Sequence, residues 1–244
     1  MRRLFSSFER AGLEYLLISG QASVLYGAAT FSEDIDLWIR PTPVNARKLL
    51  TALADRHARV HRLTPALTLR NMRAGHGFPF VIPGRPLDTY LDIMARPPRV
   101  GSFGSARRRA RSIRTDWGVL PVVHPVDLVE IKKTRRLADF DIITNLVLLY
   151  LAEKPEPGKA VQRWAAENCF RPEERAAILA RLGRRQTVAQ CARHIAKEIL
   201  NLQAQDRAYW STIIDELRMM RREGKLLADD IPVSRLNWPR IPDE

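Results

Sequence analysis

The stretch SGQASVLYGAATFSEDIDLWI, residues 19–39, decides the fold. A Ser-Gly pair opens a short helical pattern that ends at Tyr26-Gly27. DIDLWI then follows, in which Ile35, Leu37 and Ile39 alternate with Asp34, Asp36 and Trp38. A period of two marks a strand with one apolar face. Residues two apart on a strand point to the same side, so Asp34 and Asp36 converge at the mouth of a buried strand. Carboxylates placed there repel one another and resist desolvation, so something positive is expected to hold them. Magnesium is held by carboxylates together with substrate phosphates, which makes a nucleoside triphosphate its natural companion. The Ser19-Gly20 turn supplies the complementary part. It opens a helix whose N–H groups can face phosphate oxygens, and Gly20 lets the backbone come close to them.

Outward from this stretch, Leu4 to Ala11 reads as a helix stopped by Gly12, and EYLLIS (14–19) as a buried strand. Pro41 and Pro43 open a helix in which Val44, Leu49, Leu50 and Leu53 share a face. Residues 66–94 read as β-rich, with ALTLRN, FPFVI and LDTYLDIM separated by Gly and Pro. GSARRRARSI is a basic helix or loop and VLPVVH a short strand; PVDLVEIKKTRRLADFDIITNLVLLYLAE is one long helical run. KPEPGK, residues 154–159, reads as a linker. The pattern beyond it is helical to about residue 228, including one or two long helices from Thr187. The Pro-rich tail IPVSRLNWPRIPDE is an extended arm or a frayed end. The expected class is α/β, or α+β by stricter naming: a core with a small mixed sheet over 1–153 and a helical C-terminal domain over 159–244.

The chain has 244 residues, ordinary hydrophobic content (45%) and a net charge of +13. Residues 1–150 hold 23 Lys and Arg against 13 Asp and Glu, so most of the positive field travels with the acidic motif. An excess of this kind suits a polyanionic partner, RNA or another nucleic acid. Cys169 and Cys191 have no paired-ligand spacing, which points away from a disulfide framework or a zinc site and towards a reducing, cytoplasmic setting. Glu9 and Glu14 interrupt the apolar start, and no apolar run approaches the ~20 residues of a membrane span.

The residues around the acidic motif resemble the nucleotidyltransferases of the DNA polymerase β superfamily, and within it the small prokaryotic branch with the AbiEii-type toxins. Ser19-Gly20 stand at the first motif, Tyr26-Gly27 at the helix end and Asp34-Ile35-Asp36 at the metal motif. Thr30 stands where an Arg is frequent and Ser32 where a Thr is frequent; the first departure removes a cation, the second keeps a hydroxyl. The resemblance implies transfer of a nucleoside monophosphate from an NTP to an acceptor hydroxyl, with Asp34 and Asp36 holding Mg2+. It also implies a third carboxylate on a neighbouring strand, which binds the second metal and helps activate the attacking hydroxyl. LDTYLDIM offers Asp88 and Asp92, four apart and so on one face. Asp92, between Leu91 and Ile93, has the buried setting, and Asp88 reads as a strand-end surface residue. Relatives carry a Lys followed by Arg-x-x-Asp on a helix behind the site. Lys132, Lys133, Arg136 and Asp139 match that pattern, with a lysine on the triphosphate and Arg136 paired to Asp139; an exposed charged helix face is the plainer reading. The toxin branch implies the 3′ end of tRNA as acceptor and a cognate antitoxin as partner. A protein hydroxyl is the alternative acceptor, and an inactive nucleotide-binding protein the alternative class.

Arg107, Arg108, Arg109, Arg111 and Arg114 form a basic run that could contact an RNA backbone or simply be a solvated face. Trp164, Tyr209 and Trp210 read as core anchors rather than base-stacking platforms. The five histidines show no metal-ligand spacing, and His76 sits in a loop.

Overall fold

The structure, a computed structural model, describes residues 1–236. Its first half is built in the order α1 (Arg2–Arg10), β1 (Tyr15–Ile18), α2 (Ser19–Leu25), β2 (Ile35–Ile39), α3 (Pro43–Ala54), β3 (Arg59–Val60), β4 (Thr64–Pro65), α4 (Leu69–Ala74), β5 (Gly77–Ile82), β6 (Thr89–Met94). Then come α5 (Phe103–Arg109), β7 (Arg111–Thr115), β8 (Gly118–Val122), α6 (Pro125–Lys132), α7 (Leu137–Ala152), α8 (Lys159–Asn168), α9 (Pro172–Arg181), α10 (Val188–Arg222) and β9 (Leu226–Leu227). A seven-stranded mixed sheet runs β3-β5-β6-β2-β1-β8-β7. β2 sits at its centre, antiparallel to β1 and parallel to β6. The chain is therefore mixed α/β, with the acidic strand in the middle of the sheet.

The central strands are short and buried. Tyr15 to Ile18 are all buried, as are Ile35, Leu37, Trp38 and Ile39. Trp38 lies on the same side of β2 as Asp36 but is sealed by its surroundings: its indole N–H donates to the Ala95 carbonyl at 3.1 Å, and its ring meets Phe103 edge-on. A buried indole with its N–H satisfied gains burial energy without a desolvation cost.

Three local readings change. ALTLRN is not a strand: Leu69–Ala74 is helical, capped by the Thr68 hydroxyl at one end and by left-handed Gly75 (φ 92°) at the other. The cap and stop override the β-leaning composition. The run from Pro125 to Glu153 is two helices, broken at residues 133–136, where the Thr134 side chain bonds to Asp139 and accepts from the Arg136 N–H. Such local side-chain bonds compete with helix continuation. Val44 is exposed at the start of α3, whereas Leu49, Leu50 and Leu53 are buried. The region after Thr187 is one helix of 35 residues, opened by a Thr187/Gln190 capping box.

The helices after residues 154–158 share a hydrophobic cluster with the sheet layer; it runs without a break from Leu4 through Leu17 and Val147 to Ala165, Leu179 and Ile195, and on to Val233. α10 then sends the chain back. β9 pairs with β4, the Val60 N–H donates to the Ile231 carbonyl, and the Val233 N–H donates to the Ala58 carbonyl. Residues 226–236 thus strap the β3 edge of the sheet. The rest of the Pro-rich tail, residues 237–244, lies outside the described residues. Among the described residues no helix is long and apolar enough to cross a membrane.

Val233 is 1% exposed, so Val233→Ala should remove about 2 kcal/mol through the lost methyl packing. For a chain of this size that is a fall in Tm of roughly 4–8 °C. Far-ultraviolet dichroism and tryptophan fluorescence should report the same single transition. An unchanged Tm would mean that the strap is not part of the cooperative unit.

Candidate functional site

β2 and β6 run parallel in a register that sets Asp36 directly beside Asp92, and β1 sets Ile18 beside Asp36. The two carboxylates belong to adjacent strands on one face of the sheet. Both line a cleft of about 790 Å³ with Asp34, Ser19 and Gly20. Asp34 precedes β2 and is exposed at the cleft mouth. Asp88 lies outside β6, where its carboxylate accepts the Gly84 N–H at 3.0 Å.

The turn that opens α2 is tight. The backbone passes from β1 straight into the helix, with Ser19 in the left-handed region at φ 56°, an uncommon conformation for a side-chain-bearing residue. The Ser23 hydroxyl donates to the Ser19 carbonyl. Gly20 is needed for space: a Cβ there would come 2.1 Å from the Ser32 hydroxyl oxygen. Ser32 in turn donates to the Asp34 carbonyl, and Gln21 donates to the Ser32 carbonyl. The loop that carries Asp34 is therefore pinned onto the first turn of α2, and Ser32, the frequent-Thr position, is the pin.

The electrostatics follow from this packing. Burial pushes the Asp36 carboxyl up to about 7, with Asp92 and Asp34 adding to the rise and the Ser19 side chain and Lys132 opposing it. Asp92 is also raised, by burial first and then by Asp34, against the opposing charges of Arg62 and His61. Arg62, exposed in the β3–β4 connection, lines the cleft beside these carboxylates; no motif marks it in the sequence. Among the described residues no three His, Cys, Asp or Glu side chains are gathered closely enough to form a metal-binding group. The donor chemistry nevertheless fits a hard divalent cation: aspartate oxygens alone, on a floor carrying excess negative charge. Magnesium is usually held by one or two carboxylates plus substrate phosphates rather than by an all-protein cage.

The basic side of the cleft comes from the α6–α7 break. Lys132 is buried and donates to Asp139 at 2.9 Å. Asp139 also accepts from the Thr134 hydroxyl and from Arg136 at 3.0 Å. Burial alone would raise Asp139, but Lys132, the Thr134 bond and Arg136 outweigh it and hold the carboxyl below its usual range. Arg136 pairs with Asp139 as the spacing suggests, yet its side chain stays 68% exposed. Lys133 is turned elsewhere: it pairs with Glu130 and does not line the cleft. Asp141, two residues after Asp139, points out to Arg171 at 3.5 Å.

The far wall is α10. Trp210, Ile213, Ile214 and Leu217 present an apolar surface across from the aspartates, so Trp210 is a cleft residue rather than a core anchor alone. One to two turns earlier, α10 clamps both backbone groups of a single residue in the α6–α7 break. The Asp206 carboxylate accepts the Arg135 N–H at 3.1 Å, and the Gln203 amide donates to the Arg135 carbonyl at 2.9 Å. Asp206 is also paired with Arg99 at 3.6 Å.

The basic run lies apart from the cleft; none of Arg107, Arg108, Arg109, Arg111 and Arg114 lines it. Arg109 is bound to Asp127 (2.7 Å) and Arg111 to both oxygens of Glu153 (2.8 Å), with the Arg111 guanidinium also over the Tyr26 and Tyr150 rings. Arg107, Arg108 and Arg114 are exposed. His76, read as a loop residue, is fully buried and meets Glu216 of α10 at 2.9 Å.

Two outcomes are expected here. Gly20→Ala should cost roughly 1–3 kcal/mol through the clash with Ser32, and Ser32→Gly in the same chain should restore most of the lost Tm. Asp36 sets a pH dependence. Its carboxyl titrates near 3.8 when unfolded and at about 7 when folded, so the folded state keeps a proton that the unfolded state loses. In chelator, stability should fall as pH rises from about 4 to about 7 and level off above, by at most on the order of 4 kcal/mol. Asp36→Asn should flatten that slope and raise Tm at pH 8; an unchanged slope would show that Asp36 is not the group responsible.

No protein-family model matches the sequence, and no curated protein matches it.

Proposed function

We propose that the chain is a magnesium-dependent nucleotidyltransferase of the polymerase β type, moving a nucleoside monophosphate from an NTP to an acceptor hydroxyl, with the 3′ end of tRNA as the favoured acceptor. The observation that carries this reading is the in-register placement of Asp36 beside Asp92 on parallel strands, facing a cleft that also holds the Ser19-Gly20 turn and Arg136. Bound Mg2+ would neutralise the aspartates and bring the triphosphate to them. Asp34 and Asp36 are its ligands in this reading, and Asp92 shares in a second site.

The chain's own groups then have distinct tasks. Asp92, held beside Asp36 on the neighbouring strand and raised above the usual carboxylate range by burial, is placed to accept the proton of the attacking hydroxyl. The Ser19-Gly20 turn brings backbone N–H groups to the phosphates. Arg136 and Arg62, both exposed in the lining of the cleft, are the cations able to reach the triphosphate. Lys132 is already neutralised by Asp139, so it braces the α6–α7 break and places positive charge near Asp36. The α10 wall of Trp210 and Ile213 offers the base an apolar surface on which to stack. Closing the cleft around a substrate excludes water from the reacting phosphate. In a toxin setting, a partner protein that covers the cleft would act as antitoxin.

Asp36→Asn and Asp92→Asn should each lower transfer by at least about 100-fold while the fold persists. Purified protein is incubated with labelled NTPs, Mg2+ and either total tRNA or lysate protein. Label in RNA with the wild type, lost in both variants, is the expected result. Label in protein bands alone would move the acceptor to a protein hydroxyl. Full activity in Asp36→Asn would overturn the assignment. Millimolar Mg2+ with NTP should also raise the Tm of the wild type at pH 8 and not that of Asp36→Asn.

A further inference from the structure

A second concave site lies between the start of α1, the end of α3 and the β5–β6 hairpin. It is a pocket of about 680 Å³ whose charged lining residues are Arg2, Arg3, Arg56 and Arg85, with no Asp or Glu lining it. Thr89 of β6 also lines it, whereas Asp92 lines the aspartate cleft. Residues three apart on a strand face opposite sides, so the two openings lie on opposite faces of the sheet.

Four guanidiniums around one concavity repel one another unless an anion sits among them. Several Arg residues elsewhere in the chain are matched, such as Arg40 with Glu14, Arg109 with Asp127, Arg111 with Glu153 and Arg175 with Glu198. Among the described residues none of Arg2, Arg3, Arg56 and Arg85 has a salt-bridge partner; Arg2 instead donates from Nε to the Asp116 carbonyl at 2.9 Å. The nearest carboxylate on the hairpin, Asp88, is occupied by the Gly84 N–H. Arg56 carries the most specific sign. Its Nε is buried and has no hydrogen-bond partner, and a buried donor of that kind costs stability unless something accepts from it. α1 adds to the positive field, since it begins at this pocket with no side-chain cap and no acidic residue in its first turn. The Arg2 bond also places the start of α1 against the β7–β8 turn, next to the strand that carries exposed Arg114.

We propose that this four-arginine pocket binds phosphate oxyanions, and that their source is the phosphodiester backbone of an RNA held away from the aspartate cleft. Planar guanidiniums take phosphate oxygens in a bidentate manner, and such bonds position a nucleic acid without reading its sequence. The pocket's chemistry stands without the cleft assignment; RNA as the source rests on that reading.

The test measures binding, separately from transfer. The intact chain is titrated with a fluorescent mixed-sequence RNA 20-mer at several salt concentrations. The variants are Arg56→Gln, and Arg2→Gln/Arg3→Gln/Arg85→Gln, whose three positions are exposed and should not disturb folding. Each arginine–phosphate pair removed from a single strand takes about 0.7 off the log–log salt slope. The triple variant should therefore lose about 2 from the slope and bind roughly 100-fold more weakly at 0.1 M salt, with the difference closing near 1 M. Nucleotide-dependent label transfer to a dinucleotide acceptor, too short to span both faces, should be unchanged. An unchanged slope in the triple variant overturns the proposal. So does tighter binding of a poly-glutamate peptide than of RNA, which would assign the pocket to an acidic protein. Competition by pyrophosphate as strong as by RNA at equal phosphate concentration would assign it to free phosphate compounds. Absence of transfer by the wild type, with RNA binding intact, would count against the cleft reading alone.

Discussion

The structure depends on keeping Asp36 and Asp92 side by side in the floor of a sheet. Parallel pairing of β2 with β6 fixes that neighbourhood, and burial makes it costly, since two carboxylates taken from water lose hydration and gain repulsion. Most of the surrounding architecture answers to this constraint. Ser19 accepts a left-handed backbone so that the chain can turn directly from β1 into α2 beside Asp36. Gly20 gives up a side chain so that Ser32 can pin the Asp34 loop. Strain and negative charge are thus gathered together at one end of a central strand.

The positive counterpart is less direct than the charge of the sequence suggests. Lys132 is buried and matched by Asp139, so it contributes geometry more than net charge. Removing one member of a buried pair leaves the other uncompensated, which is why such pairs specify a local structure firmly while adding little net stability. Thr134 and Arg136 complete the cluster around the same Asp139, and the break between α6 and α7 is their consequence. The break is held from outside as well: Gln203 and Asp206 of α10 satisfy the carbonyl and N–H of one residue, Arg135. The long C-terminal helix therefore does two things for the cleft. It supplies the apolar wall, and it fixes the loop that carries Arg136. The His76–Glu216 contact ties the same helix to the loop before β5.

Charge is distributed by task. Arg109 and Arg111 from the sequence's basic run are consumed in pairing α5 and β7 to neighbouring helices, so the run is in part structural. The four arginines around the α1–α3 pocket have no such employment among the described residues. Proximity in sequence thus overstated one basic cluster and concealed the other, because Arg2, Arg56 and Arg85 come together only when α1 packs beside α3 and the β5–β6 hairpin closes over them.

Local patterning accounts for the features that were legible before folding. The alternation of Ile35, Leu37 and Ile39 against the aspartates located the central strand, the Gly27 stop bounded α2, and the i, i+3 spacing of Arg136 and Asp139 foretold their pair. Asp92 was distinguishable from Asp88 because Leu91 and Ile93 flank it and become buried. These follow from periodicity, which the backbone geometry of helices and strands imposes residue by residue. The remaining features came from packing between elements. It turned ALTLRN into a capped helix, broke the helical run at Thr134, turned Lys133 away from the cleft and neutralised Lys132. It also brought Arg62 to the aspartates, together with residues of α10 that lie more than a hundred positions away in sequence. Those outcomes depend on which side chains meet across elements, through burial, charge pairing and hydrogen-bond satisfaction, and no periodicity within one segment carries that information.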